Sequence, residues 1–196
     1  MEFEPSRVTL YDNDQALVSS GKDFIQIINL SDLRPGRKIK VGRSCRGISC
    51  RDGKIWLRSK MNILTMLDID GKVSKTIKTT FDPWDLCVNQ SGSVYCTAYP
   101  GNVVYKISSD GEESELYRHC DLKEPRDILV DDVVFIYVSG KNSNNIHKIS
   151  LNGQHLAIVL KEGDGIKKTY GTNLQQYYQR TDCSDRWRQF SQYSVA

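Results

Sequence analysis

The stretch that decides the fold runs from residue 83 to residue 96, PWDLCVNQSGSVYC. Leu86 to Val88 is a short apolar run, Asn89 to Gly92 is a polar turn, and Val94 to Cys96 is a second apolar run. The same order of residue types recurs upstream in residues 45–57, CRGISCRDGKIWL, and downstream in residues 125–138, PRDILVDDVVFIYV. Short runs rich in Val, Ile and Tyr, broken by Gly, Asn and Asp, are strands joined by turns. A helix needs apolar residues at 3.6 spacing over about ten or more positions, and no such spacing occurs here.

Outward from these pairs, each unit continues into a third strand: Ile63 to Ile69, Val103 to Ile107, and Ile146 to Ile149. Each third strand ends in Asp70-Gly71, Asp110-Gly111 or Asn152-Gly153, dipeptides that supply the positive φ of a hairpin turn. The turns lead into fourth strands at Ser74 to Lys78, Glu115 to Arg118 and His155 to Leu160. A less regular copy precedes them, from Pro5 to Leu10 through Val18 and Phe24 to Leu30, and a fifth opens at Thr169-Tyr170-Gly171. Successive Asp-Gly turns lie about 40 residues apart, the length of one four-stranded propeller blade. The sequence therefore predicts an all-β β-propeller of about four blades plus the start of a fifth over residues 5–171. Residues 172–196 lack alternation and hairpin turns and read as an irregular or weakly helical tail.

The pattern Pro-x-[Gly/Asp]-apolar-x-Val, then Asp/Asn-x-x-Gly, apolar-Tyr-Val and apolar-x-x-Ile-x-x-x-Gly resembles the NHL repeat. Over residues 5–171 the chain is similar to the C-terminal propeller of tripartite-motif (TRIM-NHL) proteins. It departs from that pattern at Asp85 and Asp127, where Gly is common, and at Asp131-Asp132-Val133, which lacks the turn glycine present as Gly53 and Gly92. An NHL propeller usually has six blades, so the resemblance implies a partial propeller with no RING or B-box, and a fragment or truncated product. Open blade edges then predict self-association.

Composition bounds the rest. The chain has 196 residues, 27 Lys plus Arg against 24 Asp plus Glu, and a formal net charge of +3. That balance argues against a charged disordered chain and against capture of nucleic acid by the whole surface. No apolar run approaches the ~20 residues of a membrane helix. Met1 to Arg7 is polar, without a secretory signal, so the expectation is a cytoplasmic protein with reduced thiols and no membrane partner. The six cysteines contain no C-x-x-C pair, so neither a structural zinc site nor another metal or cofactor is expected. The three histidines look scattered and offer no nucleophile–base pair.

On the NHL analogy, blade-opening residues and the loops between second and third strands share one rim. Arg7, Arg46, Trp84, Arg126 and Tyr170 come from the first set; Lys22, Lys60, Tyr99, Asn102, Lys141 and Asn142 come from the second. Cationic, aromatic and amide side chains are types enriched at interface hot spots. The leading expectation is a non-catalytic module that recruits a protein partner, or by family analogy a ubiquitination substrate for a RING-bearing relative. The alternative is RNA binding through a basic early blade, with Arg37, Lys38, Lys40 and Arg43 on phosphates. A lactonase-like hydrolase is the third reading, with Asp85 and Asp127 on a calcium ion; it is opposed by Arg46 and Arg126 nearby.

Overall fold

A computed structural model describes residues 5–42, 45–131 and 134–167. These fold into four antiparallel sheets, each a meander of four consecutive strands. The first holds β1 (Pro5–Leu10), β2 (Gln15–Ser20), β3 (Phe24–Asn29) and β4 (Pro35–Lys40). The second holds β5 (Ile48–Arg51), β6 (Lys54–Lys60), β7 (Ile63–Leu67) and β8 (Val73–Lys78). The third holds β9 (Asp82–Val88), β10 (Val94–Tyr99), β11 (Val103–Ile107) and β12 (Glu113–Arg118). The fourth holds β13 (Pro125–Val130), β14 (Phe135–Gly140), β15 (Asn145–Ser150) and β16 (His155–Leu160). The first strands are neighbours in chain order, β1 beside β5, β5 beside β9, and β9 beside β13. The fold is a β-propeller arrangement of four blades.

Apolar side chains alternate between the two faces of each blade, so the core lies in layers between blades. Leu17, Ile25 and Ile39 of the first blade meet Ile48, Ile55 and Leu57 of the second. Trp56 and Leu64 meet Leu86, Val94 and Cys96. Tyr95, Val104 and Tyr117 meet Ile128, Ile136 and Val138. Each fully buried aliphatic residue in these layers is worth about 1.5–3 kcal/mol of transfer free energy. The outer strands β4, β8 and β12 are mostly exposed and polar, with Lys on β4 and β8, as suits an edge that must not pair with another chain, whereas β16 is apolar and only partly buried.

Three blades share one turn between third and fourth strands. The amides of Gly71, Gly111 and Gly153 donate to the carbonyls of Asp68, Ser108 and Ser150 at 2.9–3.0 Å. The Asp68 carboxylate, Ser108 hydroxyl and Ser150 hydroxyl accept the amides of Lys72, Glu112 and Gln154. Only the glycine takes positive φ (84, 98 and 86°), whereas Asp70, Asp110 and Asn152 do not. The turn is thus a four-residue turn closed by a left-handed glycine, where a type I′ two-residue hairpin would put both central residues at positive φ. The Asp52-Gly53 pair between β5 and β6 is the two-residue form, with φ of 49 and 70°.

The expected third strand to Ile69 stops at Leu67, because Asp68 already belongs to that turn. Beyond β16 the chain makes a 3-10 turn at Glu162–Asp164, closed by Gly165 at φ 92°. The expected fifth blade opening at 169–171 and the tail 172–196 lie outside the described residues. Among the described residues no helix is long and apolar enough to cross a membrane.

Candidate interaction rim

Three of the four blades open with an irregularity in the pairing of their first two strands, whereas the second pairs in continuous register. The register shifts between Pro5 and Arg7, at Asp85 opposite Thr97, and between Pro125 and Asp127. A bulge re-aims the side chains beside it, and here it separates two structurally repeated positions. One is Ser6, Arg46, Trp84 and Arg126. The next is Arg7, Gly47, Asp85 and Asp127, aligned by the pairs Val8–Val18, Ile48–Leu57, Leu86–Cys96 and Ile128–Val138. Arg7 therefore matches Asp85 and Asp127, not Arg46 and Arg126 as the sequence reading aligned it.

Hydroxyls on the second strands fasten these openings. Ser19 Oγ donates to the Arg46 carbonyl at 2.8 Å. Thr97 Oγ1 accepts the Asp85 amide at 3.1 Å and reaches the Arg126 carbonyl at 3.5 Å, and Ser139 Oγ accepts the Asp127 amide at 3.2 Å. Each opening in the first, third and fourth blades is thus held by its own second strand, and Ser19 and Thr97 also hold the next blade.

In the second blade the hydroxyl position is Arg58, opposite Gly47. A β-carbon on Gly47 would sit 3.5 Å from that of Arg58 and 3.4 Å from an Asp85 oxygen, ordinary contact distances that place this opening directly against both residues. Arg58 Nη2 lies 3.1 Å from both carboxylate oxygens of Asp82, and its guanidinium is 5.5 Å from the Trp84 ring. The Arg126 guanidinium stacks on the same ring, 3.6 Å from the Trp84 centroid. Tyr99 completes the cluster, its ring 5.2 Å from Trp84 and 5.1 Å from the Arg126 guanidinium. Glu124 bonds Arg126 and takes Lys141 at 3.3 Å, while its amide donates to Asn102 Oδ1 at 2.8 Å. The two partners draw the Glu124 carboxyl below its ordinary range against the effect of burial. Arg126 is 9% exposed, and its Nε has no partner among the described residues.

The structure thus brings together Trp84, Tyr99, Arg126, Lys141 and Asn102 of the expected rim. Asn142 and Arg46 are exposed beside it, and Lys22 lies in the β2–β3 loop. Lys60 ends β6, and its side chain, like all of Tyr170, lies outside the described residues. Arg58, Asp82 and Glu124 escaped the sequence reading; the replacement of a repeated Ser/Thr by Arg58, opposite the Gly47 opening, was the signal for the first.

Arg7 points between Asp85, at 3.4 Å, and Asp127, at 3.5 Å, so a first-blade cation joins two carboxylates from the third and fourth. Burial opposes the charge on Arg7, and Asp85 and Asp127 more than restore it, raising its pKa. Asp127 is held well above the carboxylate range, by burial first and then by Asp85. A guanidinium occupies the place that a calcium reading needs for the ion, and this replaces Arg46 and Arg126 as the reason against it.

The basic set of the first blade is divided. Arg37 bonds Asp70 at 2.8 Å and the Ile69 carbonyl at 2.9 Å, Lys38 covers the Phe24 ring at 4.3 Å, and Lys40 is exposed at the end of β4. Arg43 lies outside the described residues. The histidines, scattered in sequence, are adjacent in space: His119, His147 and His155 have ring centroids 4.8–5.5 Å apart at the seam between the third and fourth blades. Burial, then His119 and His155, push His147 down to about 4.

No known protein family and no curated protein matches the chain. Solved structures do. A streptogramin B lyase superposes with a TM-score of 0.64 at 17% identity, over 78% of this chain and 53% of its own. A catalytically inactive H270A virginiamycin B lyase from Staphylococcus aureus, with quinupristin, gives 0.62 at 15%, over 79% and 55%. A protein of unknown function from Bacteroides caccae gives 0.62 at 14%, over 83% and 62%. The chain spans about half the length of the two lyases. At these identities the likeness is one of fold, and it supports the propeller without the NHL subtype.

Proposed function

We propose that this chain is an interaction module whose rim binds an acidic segment of a protein partner. The observation that carries the reading is the Trp84 ring with the guanidinium groups of both Arg58 and Arg126 against it, each arginine pinned by a carboxylate, with Tyr99 41% exposed alongside. An aromatic surface held in one geometry binds without a large ordering cost, and stacked arginines lend about 0.5–2 kcal/mol each when partly desolvated. Three cations, Arg58, Arg126 and Lys141, face two acids, Asp82 and Glu124, and Arg46 adds exposed positive charge. An acidic segment complements that balance. Recruitment of a substrate for ubiquitin transfer follows only from the resemblance to NHL propellers.

Selection from a displayed library of random peptides tests the reading. The chain enriches peptides carrying Asp or Glu, and the combined R58Q, W84A and R126Q variant loses them while K75A, on β8, retains them. Equal enrichment by the triple variant removes the rim as the site. Retention of single-stranded RNA instead, weakened by K40Q and by salt, would favour the RNA reading.

A catalytic reading rests on the lyase neighbours, one of which is inactive when a histidine is replaced. Here the histidines stand at the seam between the third and fourth blades, away from the Trp84 stack. The interaction reading is preferred for that reason.

A further inference from the structure

We propose that the turn His119-Cys120-Asp121, at the seam between the third and fourth blades, is a binding site for a divalent transition metal of the zinc class. The turn lies in the connection from β12 to β13 and is closed by the Leu122 amide on the His119 carbonyl at 3.1 Å. It points three different donors at one place. His119 Nδ1 is 3.9 Å from Cys120 Sγ, Cys120 Sγ is 3.7 Å from an Asp121 carboxylate oxygen, and His119 Nδ1 is 3.8 Å from the other. Around a tetrahedral zinc, with bonds of about 2.0–2.3 Å, ligand atoms stand about 3.4–3.6 Å apart. With one oxygen taken from the carboxylate, the three donor atoms lie within 4.8 Å of one another, so a modest turn of the exposed Cys120 and Asp121 side chains closes them onto that triangle.

Metal binding displaces the bond from the Asp121 amide to His119 Nδ1 at 3.1 Å and the long contacts of the Cys120 thiol with His119 and Asp121. Cys120 and Asp121 are exposed, so the metal and its fourth ligand enter from solvent without opening the core. Thiolate, imidazole and carboxylate together favour zinc-like ions over magnesium or calcium, which require oxygen ligands.

A second and independent observation lies behind the turn. His155 stacks on His119 with centroids 4.8 Å apart, and Tyr117 stacks on both rings at 6.1 and 6.2 Å. His147 is fully buried with Nδ1 on the Tyr117 hydroxyl at 2.8 Å, while its Nε2 has no partner among the described residues. Both rings abut His119. All three histidines of the chain thus converge at one seam, where ordinary propeller packing asks for apolar residues. His155 is the nearest further imidazole and becomes the candidate fourth ligand if its ring turns out of the stack on His119; otherwise that position is open to water or an incoming ligand. The absence of C-x-x-C pairs gives no sign of this site, because its ligands are consecutive residues of one turn.

Cobalt(II) titration of the full chain in a C183S background tests the site, because a thiolate ligand gives a near-ultraviolet charge-transfer band and a tetrahedral ion gives intense visible bands. One equivalent is expected to bind with both signatures. C120S, an exposed change that leaves the seam packed, removes the charge-transfer band, and H119A or D121N weakens binding at least about tenfold. H155A distinguishes a fourth ligand, about tenfold weaker with altered visible bands, from an open position, where it leaves them unchanged. Zinc competes cobalt off the chain, whereas magnesium does not. Absence of stoichiometric binding, or a charge-transfer band that survives C120S, overturns the proposal. Far-ultraviolet circular dichroism confirms that each variant is folded.

Discussion

Asp127 carries the sharpest consequence at the scale of single residues. It is buried, shares its surroundings with Asp85, and receives only part of the charge of Arg7. Its folded pKa lies well above the unfolded carboxyl value near ~3.9, so the folded chain holds a proton that the unfolded chain releases. Stability from this group is complete below that unfolded value and is lost as pH rises through the folded one. Urea midpoints of the wild type therefore fall as pH rises from about 4, and D127N, a neutral isostere, flattens that fall. Identical pH slopes for the two chains would contradict the assignment. Residue-scale detail was only partly legible in the sequence. Trp84, Tyr99 and Arg126 could be picked as rim residues because their types and blade positions are visible. Arg7 was misaligned by one position, because a bulge leaves no mark in a pattern of apolar residues. Glu124 was invisible, because its role depends on Arg126 at the start of β13 and Lys141 in the β14–β15 loop meeting at it.

At the scale of elements, the repeated turns do more than reverse the chain. A β-carbon on Gly153 would lie 2.1 Å from the Leu116 carbonyl oxygen on β12, so the fourth-blade turn packs directly on the third blade. Gly111 has a similar φ, 98° against 86°, but nothing within 4 Å. G111A thus meets backbone strain alone, about 1–2 kcal/mol, whereas G153A adds a backbone collision and is expected to lose about 2–4 kcal/mol in urea unfolding. Equal losses would show that the turn does not seat on its neighbour. The Asp-Gly and Asn-Gly pairs made these turns readable in sequence, though not their form, which is set by the Asp68, Ser108 and Ser150 side chains. The position of Gly92 is taken by Val134 in the fourth blade, at φ 78°, where a branched side chain is strained. That departure was visible as a missing glycine, and the backbone keeps the turn despite it.

For the whole molecule, the repeat period was enough to place the blades, because each four-stranded unit buries its faces only against its neighbours. The fourth blade shows what remains when one neighbour is absent from the described residues. Leu129, Tyr137 and Ile146 form a small cluster on it, backed by Phe135, Val159, Leu160 and Ile166, while Leu156 and Ile158 are exposed. The convergence of first strands was not legible, since no sequence pattern says that Arg7 reaches residues 78 and 120 positions away. That convergence supports the rim as well, because the same bulges that send Arg7, Asp85 and Asp127 together send Trp84 and Arg126 to their stack. A double-mutant cycle between Arg7 and Asp85 tests it most directly, using R7M, D85N and the pair in urea unfolding. A coupling of about 1 kcal/mol or more is predicted for two groups that meet only if the blades pack around a common centre. Strictly additive effects would mean that the first and third blades do not face each other as described.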